Sequence, residues 1–183
     1  VFHVTKRKIS EVLGIDLTTY WSGFYRISPD IQLSYDVILF TEMFQNSAIA
    51  EKAEALNLLE TAVSLYRGPF LHNMTMKWAM QRREELNMDF SDALSNLADF
   101  KAEDGHIQDA LGLYLRASVM SPHREDLTAN IMQIYRQLDM HSDAIAVFDQ
   151  LSATMKAKLS LTPGTPLQEL AHTIRQEMSQ AVV

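Results

Sequence analysis

The chain has 183 residues, 47% apolar and 21% charged. That is enough apolar material to build a core, and the absence of cysteine excludes disulfides, thiol nucleophiles and thiolate zinc sites. The net charge of −7 is uneven: residues 1–29 carry Lys6, Arg7, Lys8 and Arg26 against Glu11 and Asp16, whereas residues 30–183 hold the other twelve basic and twenty-one acidic side chains.

An acidic body repels polyanions at long range, so any contact with nucleic acid falls to the first thirty residues. From Phe2 to Leu13 the pattern is helical. At about 100° per residue, Phe2, Thr5, Ile9, Val12 and Leu13 share one side. Arg7 points the opposite way, flanked by His3, Val4, Ser10 and Glu11, with Lys6 and Lys8 at the margins. The alternative is that the three adjacent basic residues only solvate a helix face. Gly14 stands where a left-handed C-cap would stop this helix. Leu17–Tyr20 and Phe24–Ile27, separated by Trp21-Ser22-Gly23, read as a β-hairpin. Pro29-Asp30 breaks it, and Ile31–Tyr35 is expected to add one more short strand.

Beyond Asp36 the periodicity predicts helices near 37–46, 48–65, 77–104, 107–120, 123–138, 142–158 and 166–181. Tyr66-Arg67-Gly68-Pro69-Phe70 interrupts the series, and its apolar residues, with Leu71 and Trp78, predict an ordered connection anchored by Trp78 among the neighbouring helices. Gly105 and Pro122 mark later breaks. Ser121 is expected as an N-cap with Pro122 in the first turn, and Thr165-Pro166-Leu167-Gln168 as a capping box.

An offset of 34 residues aligns Leu97 with Ile131, Ala110 with Ala144 and Tyr114 with Phe148. That is the tetratricopeptide period. Small residues at 98 and 110 would let two helices approach closely. The second copy carries Thr128 and Asp139 where leucine and glycine are expected, and a final helix with Leu167, Leu170, Ala171 and Ile174 on one face would cap the array. Any antiparallel bundle also places alanine and leucine at such spacing, which is the plainer alternative.

Reactive constellations are missing. The glycines at 14, 23, 68, 105, 112 and 164 fit neither the dinucleotide fingerprint nor the P-loop. The six histidines form no metal-ligand pair of known spacing, no nucleophile elbow is present, and carboxylate pairs such as Glu84-Glu85, Glu103-Asp104 and Glu125-Asp126 read as solvated faces. No window reaches the ~18 uninterrupted apolar residues of a membrane span. No catalytic residue, metal ligand or cofactor site is expected.

The order of a basic helix, an aromatic hairpin and a helical repeat resembles the bacterial transcriptional activators of the streptomycete antibiotic-regulatory type. His3-Val4-Thr5-Lys6-Arg7-Lys8-Ile9-Ser10-Glu11-Val12-Leu13-Gly14 resembles the recognition helix of an OmpR-type winged helix, and Gly23-Phe24-Tyr25-Arg26-Ile27 its wing. Asp36-Val37 with Phe40, then Tyr66-Arg67-Gly68-Pro69-Phe70-Leu71, Trp78, Arg82 or Arg83, and Leu86 resemble the early signature of the bacterial transcriptional activation domain. Pro122, Arg124, Glu125, Met132, Tyr135, Ala144 and Leu159 resemble its later one. Ser10 and Glu11 stand where many relatives carry arginine.

The resemblance implies a mostly α fold: a partial winged helix (helix plus β-hairpin) over 1–35 and a tetratricopeptide-like antiparallel helical array over 36–183. It implies that the rest of the winged helix lies upstream of Val1. The implied protein is a cytoplasmic, non-enzymatic activator without cofactors. Its implied partners are promoter DNA, bound by the full-length protein, RNA polymerase and a second copy of itself, with no membrane. Arg7 would reach base edges with His3 and Ser10 beside it, Lys6 and Lys8 would lie near phosphates, and Arg26 on the wing would meet backbone or minor groove. The other reading is a protein-interaction or sensor module of a signalling protein, with no direct DNA role.

Overall fold

Left-handed residues punctuate the first thirty positions. In the computed structural model, which describes residues 2–180, helix α1 (Phe2–Leu13) stops at Gly14, whose φ of +68° supplies the C-cap. Strands β1 (Thr18–Trp21) and β2 (Phe24–Ile27) pair antiparallel, with Thr18 opposite Ile27 and Trp21 opposite Phe24. The turn is therefore the two residues Ser22 and Gly23, at φ +48° and +86°, the sign at both positions that suits the twist of a hairpin. Trp21 belongs to the strand instead of the turn. The expected strand at Ile31–Tyr35 does not form. After Pro29 the chain curls back, the Ile31 N–H donating to the Ser28 carbonyl at 3.1 Å, so the segment never lies along the hairpin edge.

Chain contacts separate this first unit, ending at Tyr35, from a second that begins at Asp36. The second is helical: α2 (Asp36–Ser47), α3 (Lys52–Leu65), α4 (Lys77–Glu103), α5 (Ile107–Met120), α6 (Glu125–Gln137), α7 (His141–Leu159) and α8 (Thr165–Gln180). Sequential pairs α2–α3, α4–α5 and α6–α7 pack as hairpins, and α8 closes on both α7 and α6. The chain is thus mostly helical, an array of helical hairpins preceded by one helix and a two-stranded sheet.

Its core grows from aromatics at one end. Tyr66 stacks on Phe90 at 3.8 Å between centroids, Phe40 packs against both, and the Tyr66 hydroxyl donates to Asn87 at 2.6 Å. Farther along, Ala98, Ala110 and Ala117 are fully buried where α4 and α5 pack together. Helix α6 serves two clusters: Leu127, Ile131 and Ile134 join the first, Met132 the second with Ala144, Phe148, Leu151 and Ile174.

All three aligned pairs of the 34-residue offset are buried: Leu97 and Ile131, Ala110 and Ala144, Tyr114 and Phe148. The turns match too. Gly105 has φ +82° and Asp139, 34 residues on, φ +58°. Aspartate is among the few side chains that tolerate the left-handed region, so the substitution keeps the turn.

Three local expectations fail. Ser121 is not an N-cap but the C-cap of α5, its N–H bonded to Ala117, and α6 starts later with Arg124 as N-cap. The capping box at Thr165 is replaced: Gln168 does reach back, but donates to the Pro163 carbonyl at 2.6 Å, while the Gly164 N–H is taken by Glu125 at 2.7 Å. Trp78 is 55% exposed, meeting Phe70 edge-on and donating to the Met76 sulfur. The Tyr66–Leu71 connection is nevertheless pinned, by Arg83 instead. Its guanidinium donates to the carbonyls of Phe70 (2.6 Å), Leu71 and Met74 (2.9 Å).

Candidate nucleic-acid interface

Helix α1 and the hairpin set the positions of the six residues expected to meet DNA. Tyr25 on β2 draws two of them together. Its hydroxyl is hydrogen-bonded to His3 Nδ1 at 2.7 Å, and the Lys6 ammonium sits 5.3 Å from its ring centroid. Tyr20, its cross-strand neighbour, packs beside it at 5.1 Å. Ser10 also lines this side of α1, its Oγ shielded from solvent and without a hydrogen-bond partner among the described residues.

Arg7 and Lys8 remain outward. The Arg7 side chain is 77% exposed and its Nε pairs with Glu11 at 3.1 Å, one helical turn on. Arg26 is exposed on β2, opposite Thr19. A shallow concavity of about 540 Å³ runs along this side, lined by His3, Lys6, Arg7, Ser10, Glu11 and Tyr25 among others. Tyr25 is the organising residue that the sequence did not mark as part of the site. Helical spacing locates His3 and Lys6 on α1, but not the tyrosine 22 positions away that holds them. On the apolar side of α1, Ile9, Leu13 and Val12 are exposed, Val12 at 84%.

In the second unit the acidic pairs lie at the surface, and several of their carboxylates are ion-paired there. Glu103 and Asp104 together hold Lys52 at 2.9 and 3.1 Å, and Asp126 pairs with Arg124 at 2.5 Å. Arg124 holds the Asp126 carboxyl below its usual pKa, whereas burial raises that of Asp89. Burial, then the hydrogen bond to Asp99, pushes the Tyr114 hydroxyl well above the ordinary tyrosine range. The Lys52 and Tyr114 contacts join helix to helix. Among the described residues no cluster of three or more histidine and carboxylate side chains could hold a metal ion. Among the same residues no helix is long and apolar enough to cross a membrane.

Residues 36–175 match the bacterial transcriptional activator domain. The chain belongs to that family. The activator domain accounts for the array from α2 into α8, and its family is one of transcriptional regulators. Among solved structures the chain is similar to EmbR of Mycobacterium tuberculosis, determined in complex with a low-affinity phosphopeptide. The TM-score is 0.64 at 21% identity, over 96% of this chain and 49% of EmbR. Identity that low shows a shared fold, and the chain spans about half the length of the EmbR chain. No curated protein sequence matches it.

Proposed function

We propose that the intact protein binds promoter DNA through the first unit and contacts RNA polymerase through the activator domain, in the cytoplasm, as a transcriptional activator. On this reading α1 and its hairpin are the recognition helix and wing of a partial winged helix, and the 34-residue repeat is tetratricopeptide-like. The observation that carries it is the outward Arg7 and Lys8 beside a Tyr25-held His3 and Lys6, joined in sequence to a transcriptional activator domain.

Arg7 reads a base edge. To do so it leaves Glu11, and an exposed pair of that spacing is worth only about 0.3–0.5 kcal/mol. A bidentate contact to guanine supplies about 1–3 kcal/mol of discrimination, so the exchange favours DNA. His3 and Ser10 flank that contact, Lys6 and Lys8 approach phosphates, and Arg26 meets backbone or minor groove.

A mobility-shift titration of the intact protein on its operator, at fixed salt, tests the assignment. Arg7→Ala should lose about 1–3 kcal/mol of specific binding. Lys6→Ala and Lys8→Ala should weaken all sequences alike and flatten the salt dependence. Unchanged operator affinity in Arg7→Ala would remove α1 from the interface. Absence of any protected promoter in footprinting would leave the protein-interaction reading in its place.

A further inference from the structure

The segment from Tyr66 to Arg83 has a composition unlike the rest of its unit. It contains Arg67, Lys77, Arg82, Arg83 and His72 and not one acidic residue, in a chain whose residues 30–183 net −9. It also holds four exposed apolar side chains close together in sequence: Leu71, Met74, Met76 and Trp78, the last two at 57% and 55%. These are neighbours in space. Trp78 meets Phe70 edge-on at 6.4 Å, its Nε1 donates to the Met76 sulfur at 3.3 Å, and Arg83 holds the carbonyls of Phe70, Leu71 and Met74 against α4. Arg83 thus ties the loop beneath the patch to α4.

Beside it, under Phe70 and Leu71, runs a groove of about 260 Å³ whose apolar wall is Val37, Phe40, Tyr66 and Leu86. Pockets that hold small molecules run ~300–1,000 Å³. This one suits a single inserted side chain better. Two carboxylates close to the groove are already engaged. Asp36, at the groove edge, accepts the Val37 N–H at 2.8 Å, and Glu85 is held by Arg82 at 3.0 Å and Gln81 at 3.2 Å. Arg67 and Lys77 have no ion pair among the described residues, and both are exposed.

We propose that this surface docks an acidic amphipathic segment of a protein partner. One apolar side chain enters the groove, its neighbours cover Trp78 and Met76, and its carboxylates meet Arg67 and Lys77. Methionine-rich surfaces adapt to the partner's contour, while the fixed charges set its sign. The net acidity of the body disfavours both a polyanionic duplex and an anionic bilayer, which offer a broad charged face and no single anchor. The surface lies wholly within the activator domain, so the outcome of the mobility-shift test leaves this proposal untouched, and the reverse.

The test is selection of a displayed random-peptide library on the 183-residue chain, followed by titration of enriched peptides with Trp78 as reporter in a Trp21→Phe background. Enriched peptides should place aspartate and glutamate around one aromatic or leucine. Their binding should shift Trp78 emission to the blue and weaken as salt rises. Lys77→Glu and Trp78→Ala should each reduce affinity roughly tenfold, the loss of one good interfacial contact. Both positions are exposed, and unchanged helical circular dichroism confirms that the variants fold. Enrichment of neutral or basic peptides, or of none, overturns the proposal. So does acidic-peptide binding indifferent to Lys77→Glu and Trp78→Ala. Tighter binding of phosphatidylserine vesicles or of duplex DNA to the same surface would assign it to that ligand instead and overturn the proposal equally.

Discussion

The two copies of the 34-residue repeat solve one packing problem with different residues. The first places Leu94, Ala98, Ala110 and Tyr114 where the second places Thr128, Met132, Ala144 and Phe148, and all eight are buried. Small meets small in the first hairpin, whereas a flexible thioether faces the alanine position in the second. The turns differ in the same way, glycine against aspartate at one backbone conformation. The repeat therefore conserves shape more strictly than chemistry: the close approach at Ala110 and Ala144 and the left-handed turn are kept, and the side chains around them vary.

Breaking the first copy should cost most. Leu94→Ala removes a fully buried leucine and should destabilise by about 2–5 kcal/mol, whereas Thr128→Ala at the equivalent position should cost under about half of that, in urea denaturation. Similar midpoints for the two variants would mean that the copies are energetically alike. Next, Ala110→Leu and Ala144→Leu both overpack a closed space, by about 1–3 kcal/mol. We expect Ala110→Leu at the upper end, because Ala98 offers no freedom, and Ala144→Leu at the lower, because Met132 can re-rotamer. An unchanged midpoint in Ala110→Leu would remove the repeat assignment.

The turns give a smaller effect of opposite sign. No atom stands within 4 Å of a Cβ built on Gly105, so Gly105→Ala costs only backbone strain, about 1–2 kcal/mol. Asp139→Gly should relieve strain and raise the melting temperature, with a gain below about 1 kcal/mol. The smallest effect is at low pH. Asp126 is held below its usual pKa by Arg124, so its contribution is present above the unfolded value near 4 and is lost as pH falls. Asp126→Asn should accordingly flatten the acid limb of the stability curve. Asp89, raised by burial, works in the opposite direction and partly offsets it.

Helix positions were legible because breakers bracket them: α4 is expected at 77–104 and runs Lys77–Glu103, between the Gly68-Pro69 turn and Gly105. Burial of Ala110 and Ala144 followed from their period. What escaped were choices that only a partner decides. Ser-Pro at 121–122 can close one helix or open another, and the Ser121 N–H takes the Ala117 carbonyl. Arg82 and Arg83 are equivalent in sequence, yet one step of 100° sends the second to the loop carbonyls and the first to Glu85. Trp78, apolar enough to expect burial, leans outward because the inner side of its turn belongs to Ala79. In the first unit the spacing located His3, Lys6 and Arg7 on α1, but not which of them the hairpin would claim through Tyr25.

The bond from Glu125 to the Gly164 N–H joins the beginning of α6 to the beginning of α8, and Arg136 and His141 reach Glu177 farther along α8. In a simple stack each helix pair touches only its neighbours and the last one peels away first. Two of these ties run past α7, so α8 is locked to a helix that precedes it by two places, and the third holds it to the start of α7. Amide hydrogens of α8 should then exchange no faster than those of α6, and limited proteolysis should spare the end of the array until the hairpin beneath it opens as well.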